Sequence, residues 1–335
     1  MLLALAAALC LTAAPAQEAP DDDPCDRLRT LQRETYDFSP QELSSDEQEA
    51  VGARMDTFWD VVMADRETLA PCLRELLLES ADPWFRFDGA ALLVTAKPSD
   101  ETRALQVTLW SEADLDDVDR QYWLETLAIR GSEGHDVSRA ADRWLRHEGA
   151  HYTVPEHGMF TVGAHEGAMF LFGSMDEETA TPALLRIVRD EAHPGRGIAL
   201  VLLALQATPR AWRALGAIDA ETVPPREAAV LEQFTTQAPQ PPVGGKATVT
   251  FSRERILEDL RANLGEEGAE FIMPPPSFPD WVINAADQLE PEDLPLLRQA
   301  RRRSVTLGSD EAVQEYFKFS VTLQLLTWKA EYFEP

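Results

Sequence analysis

The chain has 335 residues, with 58 Asp and Glu against 30 Lys and Arg, a formal net charge of −28. Its 44% of hydrophobic residues excludes a disordered chain and fits one large or two ordinary domains. A surface this acidic repels phosphate backbones and anionic headgroups, which sets nucleic acid and anionic membrane aside as partners.

The chain opens with MLLALAAALCLTAAPAQEAP, an apolar run that closes in small residues. Ala14-Pro15-Ala16 fits an A-x-A-like cleavage site before Gln17, so residues 1–16 are expected to be a secretory signal peptide, although the run carries no Lys or Arg ahead of it. The run is too short to span a bilayer, and no membrane span is expected. Leu9 is too large to precede a lipid-attachment cysteine at Cys10. The expectation is an exported chain, periplasmic or secreted. After cleavage two cysteines remain, Cys25 and Cys72, and an even pair in an exported chain predicts a disulfide. Two unrelated buried thiols are the alternative at this point.

Pro24 opens a short helix with Leu28 and Leu31 on one side. Ser44 and Glu47 have capping-box spacing, and Val51, Met55, Phe58, Trp59, Val62 and Met63 then form an amphipathic stripe. A helix is expected over 71–78. Residues 82–110 read as a helix pair: Asp82 caps, Pro83 suits the first helical position, and Trp84, Phe87, Ala91 and Leu92 recur at helical spacing. Pro98 ends that helix, and Thr102, Leu105 and Leu109 line the inner face of the next. Further helices are expected over 118–130, 137–145, 166–172 and 182–188. Gly197, Ala199, Leu200 and Ala204 then echo Gly89, Ala91, Leu92 and Ala96. The tryptophans at 59, 84, 110, 123, 144 and 212 fall on apolar faces and read as core.

The clearest break is APQPPVGGK, residues 238–246, which no regular element can cross. It is expected to link a helical-repeat domain, 17–237, to a helical C-terminal region, 247–335. Within the latter, ATVTF at 247–251 is strand-like but too short to imply a sheet, and PPP at 274–276 marks a stiff loop. Arg301, Arg302 and Arg303 fit the negative end of their own helix dipole.

The helix-turn-helix rhythm over 68–235, with Asp-Pro and His-Pro openings and small residues where helices must approach, resembles the HEAT-like and armadillo-like helical repeat proteins. That resemblance implies an all-α fold, an irregular HEAT-like α-solenoid of stacked helix pairs with a helical C-terminal part. It also implies a scaffold or binding surface with no catalytic residues to carry over.

One motif points elsewhere. All six histidines fall between His135 and His193, and HEGAH at 147–151 matches H-E-x-x-H. Two histidines one helical turn apart can bind zinc while the glutamate polarises a water. Extended to HEGAHYTVPEH, the segment resembles the metzincin pattern H-E-x-x-H-x-x-G-x-x-H. The resemblance implies His147, His151 and His157 as ligands and Glu148 as general base. Val154 departs from the turn glycine of that pattern, Pro155 follows it, and Gly149 lies between the two helical ligands. The principal expectation is therefore no cofactor, and a binding or scaffold role toward a protein or peptide partner. The alternative is a zinc-dependent hydrolase.

Overall fold

The structure is a computed structural model. It describes residues 23–36, 44–116, 118–148, 164–223, 228, 231–232, 247–307 and 310–332. The expected signal peptide at 1–16 and the linker at 238–246 lie outside the described residues. Fifteen α-helices and no strand occur among the described residues, so the chain is all-α as the sequence predicts. The helices pack largely as sequence-adjacent pairs. Two compact units divide the chain, Met1–Ser99 and Asp100–Pro335.

The first unit holds α1 (Pro24–Tyr36), α2 (Ser45–Ala64), α3 (Arg66–Glu79) and α4 (Pro83–Ala96). Their starts follow from local chemistry. Ser44 donates both its amide and its hydroxyl to Glu47, and the Asp82 carboxylate accepts the Phe85 amide at 2.9 Å with Pro83 at the first position. The helix expected over 71–78 begins earlier, at Arg66, because the Asp65 carbonyl already accepts the Thr68 and Leu69 amides. Pro71 sits inside it at the cost of one helical bond. Phe58, Val62, Leu73, Leu77, Phe85 and Leu92 fill the core. Cys25 and Cys72 are disulfide-bonded, their Cα atoms 5.1 Å apart, which ties α1 to α3. Closing a loop of this length stabilises by about 4 kcal/mol in the chain-entropy model.

The second unit holds α5 (Asp100–Trp110), α6 (Arg120–Ser132), α7 (Ser138–Glu148), α8 (Ala164–Ser174), α9 (Glu177–Arg189), α10 (Arg196–Leu205), α11 (Pro209–Gly216), α12 (Arg253–Asn263), α13 (Phe278–Gln288), α14 (Leu294–Ser304) and α15 (Asp310–Tyr332). Asp119, Asp176, Thr208, Ser252 and Ser277 each cap a helix by accepting an amide. Here too a proline misleads: α9 starts at Glu177 behind the Asp176 cap, with Pro182 inside it. Leu200 is fully buried, as are Trp110 and Trp123, and the rings of Trp123 and Trp144 stack 6.0 Å apart. Trp59 and Trp84 of the first unit are half-buried.

The C-terminal helices return to the earlier ones. Helix α14 packs on α8, and α15 packs on α10, α13 and α14. The ATVTF segment pairs with no strand. Side chains of α13 take the partner's place: Asp280 accepts from the Thr248 hydroxyl at 2.7 Å, and Asn284 accepts the Phe251 amide and donates to the Val249 carbonyl. Backbone groups that would pair in a sheet are thus satisfied by two polar residues one turn apart.

Candidate functional site

The sequence-predicted metal set is described only in part. Helix α7 runs to Glu148; Val137 just ahead of it, and Ala140, Ala141, Trp144 and Leu145 within it, are buried, as the periodicity predicts. His147 lies near its end with Nε2 3.1 Å from Asp116 Oδ1, and the same oxygen takes the Arg120 guanidinium at 2.8 Å. The hydrogen bond from His147 holds the Asp116 carboxyl below its usual range. The Glu148 side chain, His151 and His157 lie outside the described residues. Among the described residues no three His, Cys, Asp or Glu side chains are grouped to hold a metal ion.

A second histidine has the partner of an acid–base dyad but not the freedom. The His193 side chain is fully buried, with Nε2 2.7 Å from Asp142 Oδ1. Its Nδ1 accepts the Gly195 amide at 3.0 Å, so Nε2 carries the proton and donates to the carboxylate. Both ring nitrogens are spent, and the residue staples the turn before α10 to α7.

A buried polar cluster joins the C-terminal helices to the rest of the second unit. Arg301, expected to serve the end of its own helix, is 1% exposed. Its Nη1 donates to the carbonyls of Leu205 at 2.7 Å and Gln206 at 3.3 Å. Gln324 donates to the Ala204 carbonyl and Thr327 to that of Ala207. Three side chains from α14 and α15 thus satisfy the open carbonyls at the end of α10, and the dipole that Arg301 serves is that of α10 rather than its own helix. Glu177, at the start of α9, lies 3.0 Å from Arg298 and 3.6 Å from Arg301. Burial pushes its carboxyl up, and the three arginines Arg301, Arg298 and Arg302 draw it back. Tyr316 packs its ring on Gly173, where a Cβ would stand 2.6 Å from a ring carbon, so only glycine admits it. Arg301 and Tyr316 are buried while Glu177 and Arg298 keep partial access to solvent, and the cluster holds elements together.

In the first unit, Asp88 Oδ2 accepts the Trp59 indole N–H at 2.9 Å and also the Tyr36 hydroxyl. Tyr36 in turn packs edge-on against Phe58 and Phe85, 5.7 and 5.1 Å between centroids. Burial raises both the Tyr36 hydroxyl and the Asp88 carboxyl above their usual ranges.

The surface feature that none of this explains is a ridge in the second unit. Six large apolar side chains are exposed among the described residues, and four of them, Val249, Phe271, Met273 and Phe278, stand on the start of α13 or on segments tied to it through Asn284 and Asp259. Met273 is 74% exposed and Phe271 52%. The backbone beneath them is tied down. Ile272 is buried, and its amide donates to Asp259 Oδ1 at 2.9 Å, while Oδ2 of the same carboxylate takes the Trp281 indole at 2.9 Å. Arg255 donates to the Phe271 carbonyl at 2.7 Å. Pro274 and Pro275, also exposed, stiffen the segment that leads into α13. The sequence alone marks this stretch as a stiff loop. A further signal lies in FIMPPPSF, where apolar residues alternate around one buried anchor, but nothing local says which of them face solvent.

Comparison of the chain with protein-family models, with curated proteins and with solved structures finds no match. Among the described residues no helix is long and apolar enough to cross a membrane.

Proposed function

We propose that the chain is an exported binding or scaffold protein, built as a HEAT-like stack of helix pairs, that engages a protein or peptide partner through its surface. The contact is the ridge at 271–278. The observation that carries this reading is the pairing of exposed apolar side chains with a backbone fixed from below by Asp259 and Arg255. Covering exposed apolar area is favourable by about 25 cal/mol per Å², and a ridge that is already ordered loses little entropy on binding. Export is supported by the signal-like start of the sequence and by the Cys25–Cys72 bond, which suits an oxidising compartment.

A display library of random peptides tests the reading. Peptides retained by the unaltered chain should be released by a chain carrying Phe271→Ser and Met273→Ser. If every retained peptide holds equally well to both chains, the ridge is not the binding surface.

A further inference from the structure

The charge around the ridge narrows the partner. No Lys, Arg or His stands between Arg261 and Arg298, while Glu266, Glu267, Glu270, Asp287, Glu290 and Glu292 in that stretch are exposed. The basic residues of α12, and Lys318 of α15, are already committed. Arg255 pairs with Glu258 and the Phe271 carbonyl, Arg261 lies 3.8 Å from Glu266, and Arg253 pairs with Asp293 at 2.8 Å. Lys318 pairs with Glu315 and lies over the rings of Trp281 and Phe319. Glu267 and Glu270 lie just ahead of Phe271, are exposed, and take part in no ion pair among the described residues. An apolar strip rimmed by uncompensated carboxylates repels an acidic partner and, through the charge of the whole chain, draws in a basic one.

We infer that the ridge docks a basic protein or peptide segment whose Lys or Arg side chains flank apolar ones, the apolar groups covering Phe271 and Met273 and the cations facing Glu267 and Glu270. This rests on the binding reading above. Acidic partners are excluded by like charge, and a second copy of the chain is excluded for the same reason, since its own surface carries the same excess of carboxylates.

The test uses the full chain and three dye-labelled amphipathic 14-residue peptides of leucine with lysine, with glutamine or with glutamate, read by fluorescence anisotropy. The lysine peptide should bind at least about tenfold more tightly than the glutamine peptide, and the glutamate peptide should not bind. Raising salt should weaken the lysine complex. Phe271→Ser with Met273→Ser, and separately Glu267→Gln with Glu270→Gln, should each weaken it by about tenfold. Equal binding of lysine and glutamine peptides, both lost in the Phe271 and Met273 variant, would overturn the basic partner while leaving the ridge as a contact surface. Lysine-peptide binding that the Phe271 and Met273 variant does not weaken would mean diffuse attraction to an acidic protein, and would overturn the inference. So would no binding of the lysine peptide at all; the display selection then judges the binding reading on its own.

Discussion

Arg301 donates to the Leu205 carbonyl across 96 residues of sequence, from the last turn of α14 to the end of α10. The bond joins the last third of the chain to its centre, and the Glu177 carboxylate on α9 lies within 3.6 Å of the same guanidinium. Removing a buried charged group that serves several acceptors leaves them unpaired away from water. Arg301→Ala should therefore cost about 3 to 5 kcal/mol in urea unfolding. Glu177→Gln should cost far less, because burial already disfavours the charged form of that carboxyl. An Arg301→Ala protein within about 1 kcal/mol of the unaltered chain would show that the cluster does not join the C-terminal helices to α10.

Asp88 gives a pH dependence of defined sign. Its folded carboxyl is raised by burial, more than the Tyr36 and Trp59 hydrogen bonds lower it, so the native state holds the proton more tightly than the unfolded chain. The stabilisation from protonated Asp88 is complete below the ordinary aspartate range and is lost as pH rises through that range toward the raised folded value. Both donors reach one oxygen, so an asparagine oxygen can accept both. Asp88→Asn should thus gain stability relative to the unaltered chain as pH goes from about 4 to about 8. Parallel stability curves for the two proteins would refute the assignment.

Gly173 and Tyr316 form a contact that tolerates no methyl group. Gly173→Ala should cost about 1 to 3 kcal/mol by overpacking. Gly52, which has nothing within 4 Å of a built Cβ, supplies the control: Gly52→Ala in α2 should be neutral or stabilising by helix propensity. Thermal unfolding of the two variants side by side is the check.

The elements legible in the sequence are those whose signals are local. Caps at Asp82 and Ser44, the apolar stripe of α2, and the α7 face are readable because a helix's own residues decide them. Pro71 and Pro182 look like helix starts because proline favours the first turn, while both prolines here sit inside helices already begun by an aspartate. The Arg301 cluster is not legible, since its partners at 177, 205 and 206 are brought together only by the return of α14 and α15. The role of His193 is hidden for the same reason: its partner Asp142 lies on α7, 51 residues away in sequence. At the ridge, composition shows an apolar, proline-rich stretch, and only the buried Ile272 anchor separates the side chains that face in from those that face out.

The histidine motif yields a prediction with a direct readout. His147 is already engaged by Asp116, at the edge of the buried face of its helix. Protein purified without a His tag should contain no stoichiometric zinc by elemental analysis, and His147→Ala should leave its metal content unchanged. Bound zinc that is lost in His147→Ala or His151→Ala, together with chelator-sensitive peptide hydrolysis, would establish the hydrolase instead.

If the ridge is a binding surface, Phe271 and Met273 serve a partner and not the fold. Urea unfolding of the chain carrying Phe271→Ser and Met273→Ser, against the unaltered chain, separates the two roles. Solvent-exposed side chains that the fold does not use can be replaced at a cost of about 0.5 kcal/mol or less, and this is the result expected here. A loss of about 2 kcal/mol or more would place both side chains in the protein's own core and contradict the binding ridge.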